Sequence, residues 1–242
     1  MPSSKISLKQ QEFNDAMKKY HKIPFYQNTY KLISIINITL QIILVPILFS
    51  LSISYILIIP ILFVAYFLTD FINGLVHLYM DHNDNYSSFL GVFIASFHLH
   101  HKTPEYKNNN IFAIYFNESG MKFWLVIYLL GVLILAILGI NHILLAILIL
   151  VGILSSFAEV SHYLCHNSKS KSVKFFQGIG IILSMKHHKN HHNEDNNSYA
   201  FLNGMSDFII DKIAHTFYSG YKNNSDKHYE HYQGEDTSNR TI

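Results

Sequence analysis

Clustered histidines beside long apolar runs are the feature that most constrains this chain. The sequence has 16 histidines, and all but five of them lie in four short segments. These segments are His77 with His82, His98-Leu-His100-His101, His162-Tyr-Leu-Cys-His166 and His187-His188-Lys-Asn-His191-His192. Each segment lies just beyond a long apolar run or on a polar stretch between two such runs. Because imidazole is the commonest protein ligand for transition metals, the pattern predicts a metal site beside a membrane.

The apolar runs predict the fold class. Half of the 242 residues are hydrophobic and only 14% are charged, which is unusual for an ordinary soluble domain. Four stretches approach the ~20 residues needed to cross ~30 Å of hydrocarbon. They cover about 32–51, 55–70 with a helical continuation past Gly74, 123–140, and 143–157. The joints within each pair are so short that we expect two helical hairpins, and hence an all-α integral membrane protein with about four transmembrane helices.

The remaining segments complete the expected domain organisation. Residues 1–31 are expected to form an N-terminal cytosolic arm, and residues 32–215 a single membrane domain. Residues 199–215 place apolar side chains at helical spacing, which predicts an amphipathic helix lying on the bilayer. Residues 216–242 are polar, and we expect this tail to be disordered from about Tyr221.

Lysine placement predicts the orientation. All 18 lysines and arginines lie in 1–31, 102–122 or 169–242. With two hairpins these three regions share one side of the membrane, and the positive-inside rule makes that side cytoplasmic. The same parity puts all four histidine segments on the cytoplasmic side. We therefore expect a multi-pass protein whose histidine-rich metal site faces the cytosol.

Helical spacing indicates which side chains converge. Asp70, His77 and Asp81 fall on one face of a helix, and His162 and His166 are one turn apart. In the last segment two i, i+4 pairs lie on adjacent faces, so they can address two metal ions. The candidate ligands are His77, Asp81, His100, His101, His162, His166, His187, His188, His191 and His192. Candidate groups behind the ligands are Asp70, His98, Glu159, Asp207 and Asp211. The isolated residues His21, His142, His215, His228 and His231 are expected at the surface.

The donor set bounds the chemistry. Many imidazoles and few carboxylates suit iron or zinc rather than magnesium or calcium. A zinc hydrolase of lipid amides or esters needs about three protein ligands, which is fewer than the candidates here. Two iron ions with O2 could attack an unactivated C–H bond, and the product would be either a desaturated or a hydroxylated lipid. A metal transporter would carry ligands inside its spans, whereas 32–51 and 123–140 contain none.

The order of these motifs resembles the lipid desaturase family, which includes Kua-type plasmanylethanolamine desaturases and plastid phosphatidylglycerol acyl desaturases. The matching strings are Asp70-Phe-x-x-Gly74-x-Val-His77-x-x-x-Asp81, Phe97-x-x-His100-His101-x-x-Pro104, Ser161-His162, His187-His188-x-x-His191-His192 and the stretch from Tyr199 to Asp211. Together they cover more than half of the chain. The family usually has a histidine where this chain has Ala158, and His166 or Glu159 are alternatives for that missing ligand. Asn109, Asn110 and Asn196 also replace residues typical of the plasmanyl branch.

The resemblance implies an O2-dependent lipid desaturase with two iron ions, zinc being the less favoured metal. It implies a membrane phospholipid substrate with an alkyl or acyl chain, and electrons from a cytochrome b5- or ferredoxin-like donor. No nucleic-acid partner is expected. The implied membrane is the endoplasmic reticulum in a eukaryote or the inner membrane in a bacterium. Of the candidate ligands, the resemblance covers all except His166.

Overall fold

The computed structural model describes residues 7–101 and 110–232, except for the side chains of Gln27 and His100. Within these residues every regular element is a helix. In chain order the helices are α1 Leu8–Lys22, α2 Pro24–Ser50, α3 Ile58–His82, α4 Gly91–His98, α5 Ile111–Glu118, α6 Phe123–Ile137, α7 His142–Asn167, α8 Lys171–Gly178, α9 Met185–Asn193, α10 Asp207–Phe217 and α11 Ser225–Glu230. The all-α prediction is confirmed.

Three segments of this fold are long and apolar enough to cross a membrane: α2, Tyr55–His82 and α7. A fourth crossing depends on α5 and α6, which are bent by 92° at the break around Lys122. The 15 residues of α6 extend only about 22 Å at 1.5 Å per residue, less than the hydrocarbon thickness. The number of spans is therefore three or four, against the four expected.

The long helices form a bundle with apolar and polar layers. Leu44, Leu129 and Ile149 are fully buried where α2, α6 and α7 meet. Nearer the histidine-bearing end, the Gln41 amide donates to Ser156 at 2.8 Å, and the Asn73 amide donates to Ser155 at 3.0 Å. Such interhelical hydrogen bonds fix the register of helices whose other contacts are apolar. The last turns of α3 and α7 consequently end side by side.

A buried carboxylate shapes the segment after α9. Asp70 Oδ1 accepts backbone N–H groups of Leu202, Asn203 and Gly204, and Oδ2 accepts the N–H and hydroxyl of Ser206. These bonds are incompatible with the helical backbone pattern, in which each N–H bonds to the carbonyl four residues earlier. The amphipathic helix predicted over 199–215 is wrong in its first half for this reason, and α10 begins only at Asp207.

Both ends of the described chain pack onto the fold. In α1, Phe13 and Met17 are fully buried in a cluster shared with α4. The C-terminal residues are folded up to Tyr232, and Tyr221 is completely buried, so the expectation of disorder from that residue is wrong. The surface expectation for His228 is also wrong, because its ring is buried against the Tyr86 hydroxyl, with a contact of 3.0 Å. His142, His215 and His231 are exposed as expected.

We predict that Asp70→Asn destabilises the loop before α10. The amide of asparagine has one oxygen acceptor and one NH2 donor in place of the two carboxylate oxygens. The NH2 group would face backbone N–H groups, and those N–H groups would lose their acceptor. Buried donors left without a partner cost about 1–3 kcal/mol. The expected result is a lower midpoint temperature of unfolding in detergent, whereas Asp15→Asn on the exposed face of α1 should leave the midpoint unchanged. Equal midpoints for the two variants would contradict this role.

Candidate metal centre

Four side chains from three separate parts of the chain meet in what we term the carboxylate cluster: His77, Asp81, His101 and His191. One donor atom from each lies within 4.8 Å of all the others. Asp81 is at the middle, with Oδ2 at 3.4 Å from His77 Nε2 and 3.3 Å from His191 Nε2, and Oδ1 at 3.4 Å from His101 Nε2. All four side chains are at most 3% exposed.

Each imidazole of this cluster forms a hydrogen bond through its Nδ1 atom, on the side of the ring that points away from the cluster. His77 Nδ1 bonds to the Tyr199 carbonyl at 2.9 Å, and His191 Nδ1 bonds to the Asn197 carbonyl at 3.1 Å. His101 Nδ1 bonds to the Asp226 carboxylate at 3.1 Å. An acceptor at Nδ1 retains the proton there and leaves the Nε2 lone pair pointing into the cluster. This is the tautomer that binds a metal ion.

The carboxylate cluster has room for a cation and a need for one. Among the described residues, both Asp81 oxygens and His77 Nε2 are buried without a hydrogen-bond partner. A buried ionised carboxylate without compensation is strongly disfavoured. Donor atoms bound at about 2.0–2.1 Å to a tetrahedral ion lie about 3.3–3.4 Å apart, which matches the observed separations. The residues therefore fit a transition-metal ion.

A second group, which we term the histidine cluster, contains His162, His166 and His188. His162 Nε2 lies 2.9 Å from His188 Nε2 and 3.2 Å from His166 Nε2. His192 Nε2 adjoins the group, at 2.9 Å from His188 Nε2. No carboxylate belongs to the described cluster. The described donors of this cluster are therefore all imidazoles, whereas the carboxylate cluster includes Asp81.

Hydrogen bonding alone cannot explain the three Nε2 contacts of the histidine cluster. An Nε2 atom carries either one proton or one lone pair. His162 and His188 each contact two other Nε2 atoms. Ring-to-ring hydrogen bonds can therefore satisfy the two outer contacts but not the central one between His162 and His188. A single cation that accepts lone pairs from all the rings removes this conflict.

Electrostatics keeps the α9 ligands in the neutral form that binds metals. Burial, followed by the neighbouring imidazoles, lowers the pKa of His188 and of His191 well below the usual histidine range. The same causes lower the pKa of His192 to about 2. Burial acts in the same direction on His101, but the Asp81 and Asp226 carboxylates outweigh it and raise the pKa of that residue.

Helix α9 joins the two clusters. His188 belongs to the histidine cluster and His192, one turn later, adjoins it, whereas His191 on the neighbouring face belongs to the carboxylate cluster. The ring centroids of His191 and His192 are 5.5 Å apart, and those of His101 and His192 are 5.1 Å apart. The sequence predicted that adjacent faces of this helix serve two ions, and the structure brings three of the four rings to the two clusters.

Several candidate residues lie elsewhere. His187 turns away from both clusters and bonds to Asp207 at 2.5 Å. Its ring packs on Gly204, whose φ of +84° and lack of a side chain allow this approach. His187 and His191, which the sequence predicted to address one metal ion as an i, i+4 pair, therefore do not meet at one cluster. His100 lies outside the described side chains.

The groups predicted behind the ligands have other neighbours. Asp70 anchors the loop before α10, Asp207 holds His187, and Asp211 accepts the Ser198 N–H at 2.8 Å. His98 Nε2 bonds to the Met80 carbonyl at 2.8 Å. Glu159 forms a buried ion pair with Lys122 at 3.0 Å. Among the described residues, none of these five side chains bonds to an imidazole of either cluster.

The two alternatives for the histidine that Ala158 replaces, His166 and Glu159, have different surroundings in the structure. The methyl group of Ala158 is fully buried in an apolar cluster, and Glu159 is paired with Lys122. His166, one helical turn after His162, supplies a third imidazole to the histidine cluster. The imidazole that lies with His162 and His188 is thus two helical turns after Ala158 on α7.

Sequence reasoning missed the groups that hold the ligands from outside. Asp226 lies in the segment expected to be disordered, and the carbonyls of Tyr199 and Asn197 carry no sequence signal. Tyr221 packs its ring against His191 with centroids 5.5 Å apart. The tyrosines of the tail could have indicated that this segment packs onto the fold, but the tail is otherwise polar.

Comparison with known proteins agrees with this geometry. The lipid desaturase domain family model matches residues 66–220, which include every described member of both clusters. A curated relative, fatty acid desaturase 4-like 2, chloroplastic, from Arabidopsis thaliana, is 28% identical over 157 residues, which are 62% of this chain and 54% of the relative. The chain thus spans about half the length of that relative. No solved structure matches. By the extent of the family match, the chain belongs to the lipid desaturase domain family.

Proposed function

We propose that this protein is a membrane-bound, non-haem di-iron desaturase that introduces a double bond into an acyl chain of a membrane lipid. The observation that carries the proposal is the pair of adjoining buried clusters, each suited to one ion. In the overall reaction, –CH2–CH2– loses two hydrogen atoms to become –CH=CH–. O2, two external electrons and two protons take up these hydrogens as two molecules of water. Bound iron supplies the oxidising chemistry that no protein side chain can provide alone.

The donor sets favour iron over the zinc alternative. A zinc hydrolase keeps one ion on about three ligands and places an acid–base residue beside it. Here two groups of three or four donors lie next to each other. In one of them Asp81 supplies a carboxylate, and the other three donors, all imidazoles, surround it. Imidazole with a carboxylate and open positions is the donor set of non-haem iron enzymes that use O2.

Each protein group has a role in this proposal. His77, Asp81, His101 and His191 hold one ion, and His162, His166, His188 and His192 hold the other. The Tyr199 and Asn197 carbonyls orient two of the rings from behind. Phe201 lies against both clusters, with its ring centroid 5.5 Å from that of His77 and 5.6 Å from that of His162. This ring excludes water from the space between α3 and α7.

Substrate access follows from the position of the ligands on the long helices. His77 and His162 are in the last turns of segments long enough to span the membrane. A lipid can therefore enter from the bilayer with its chain between the helices. The curated relative is named a fatty acid desaturase, which favours an acyl over an alkyl (plasmanyl) chain.

The electron donor and location are further parts of the proposal. An external donor is required by the electron balance, and a cytochrome b5- or ferredoxin-like protein is the class we infer. With four spans, the lysine distribution favours the cytoplasmic side for the clusters. The membrane would be the endoplasmic reticulum in a eukaryotic cell or the inner membrane in a bacterium.

We predict that the purified protein carries two iron ions per chain and that His188→Ala lowers this number. The variant removes the ring that contacts both His162 and His192. The matched control is its neighbour, since His187→Ala removes a ring outside both clusters and should retain the wild-type iron content. Metal analysis by mass spectrometry makes the measurement. A protein with one zinc and no iron would contradict the proposal.

We also predict O2-dependent formation of a double bond in lipids of a host with a defined lipid composition. His101→Ala should lower the product by about 100-fold or more, because loss of a group behind a ligand already costs about 10–100-fold and this variant removes the ligand itself. His215→Ala, an exposed residue of α10, should retain wild-type yield. Lipid mass spectrometry separates the outcomes: a mass loss of two hydrogens supports desaturation, a gain of one oxygen identifies a hydroxylase, and chain release without O2 identifies a hydrolase.

A further inference from the structure

The C-terminal residues 218–232, which we term the cap, fold over the carboxylate cluster. The family match ends at residue 220, so most of the cap lies beyond it. Asp195 Oδ1 accepts the N–H groups of Tyr221 and Lys222, both at 2.8 Å, and anchors the start of the cap to the end of α9. The cap is therefore attached at a point that is not itself a metal-ligand candidate.

Two further bonds tie the cap to the backbone of the cluster. The Tyr221 hydroxyl donates to the His191 carbonyl at 2.5 Å, and the Ser225 hydroxyl donates to the Asp81 carbonyl. Tyr221 is fully buried and Ser225 is 1% exposed. The cap thus contacts the backbone of two members of the carboxylate cluster, and it brings helix α11 next to a third member, His101.

Asp226 is the residue that α11 directs toward the cluster. It is only 3% exposed, and its Oδ1 accepts from His101 Nδ1 at 3.1 Å. Its other oxygen pairs with Lys222 Nζ at 2.9 Å, which fixes the plane of the carboxylate. Both oxygens therefore have defined partners, and one of these partners is the ring of a ligand candidate.

His101 differs in this respect from the other two rings of its cluster. His77 and His191 are held by neutral backbone carbonyls, whereas His101 is held by a full negative charge. A carboxylate behind an imidazole makes Nε2 a stronger donor and fixes the ring orientation. His101 also has the greatest need of such support, because it follows α4 in a short 3-10 turn rather than standing within a long helix.

We propose that Asp226 is a positioning residue that orients His101 and strengthens the hold of the carboxylate cluster on its ion. This inference rests on the metal centre of the proposed function. It assigns part of that centre to a segment outside the matched family domain. Among the described residues, the ion-pair partners of Asp226 are His101 and Lys222, and neither belongs to the histidine cluster. We therefore expect the effect on only one of the two ions.

The test compares iron release from purified, iron-loaded wild-type protein, Asp226→Asn and Glu230→Gln after addition of a ferrous chelator. Asp226→Asn keeps the size of the side chain but removes its charge. Glu230→Gln removes the same charge from an exposed position of the same helix and should behave as wild type. In Asp226→Asn we expect one ion per chain to leave about 10–100-fold faster and the other at the wild-type rate, the size usual for lost support behind a ligand.

The outcomes separate this inference from the proposed function. Two wild-type release rates in Asp226→Asn would overturn it, and so would equal acceleration of both ions, which indicates general loosening of the fold. The second ion thus serves as an internal control for folding. If wild-type protein binds two ions but forms no double bond, the proposed function fails, and the release rates alone decide the role of Asp226. If wild-type protein binds no metal, both fail.

Discussion

Convergence of imidazole lone pairs in a water-poor interior is the constraint on which this structure depends. Three contacts between Nε2 atoms of the histidine cluster exceed what protons on those rings can satisfy. The nearby Asp81 carboxylate is buried without a hydrogen bond among the described residues. Both arrangements are unfavourable by themselves and become favourable around cations. The donor atoms of both clusters are therefore compatible with bound metal ions.

The surrounding elements serve to bring these donors together. Interhelical hydrogen bonds such as that from Asn73 to Ser155 keep α3 and α7 in register. His77 and His162 therefore lie at the same height along the helix bundle. Asp70 folds the chain after α9 into a loop, and this loop delivers the Tyr199 carbonyl to His77. A single carboxylate inside α3 thus acts on the site through the loop that it holds.

A buried ion pair extends this polar interior. Lys122 lies at the bend between α5 and α6 and pairs with Glu159 of α7 at 3.0 Å. Its ammonium group also stands 4.8 Å from the centre of the Phe201 ring, which in turn contacts rings of both clusters. Ion pairs in membrane helices are costly and persist where they brace a functional interior. Through Lys122, the bend between α5 and α6 therefore contacts the residues that surround the two clusters.

Local sequence determined the helical class, the apolar segments and the helical pairs His77–Asp81, His162–His166 and His188–His192, since hydropathy and i, i+4 spacing are properties of the chain itself. The tertiary structure alone decided that His187 turns outward to Asp207 and that His191 crosses to the other cluster. It also decided that a polar tail folds back to place Asp226 behind His101. These choices depend on contacts between residues up to 125 positions apart, and no local pattern encodes which distant acceptor an imidazole will meet.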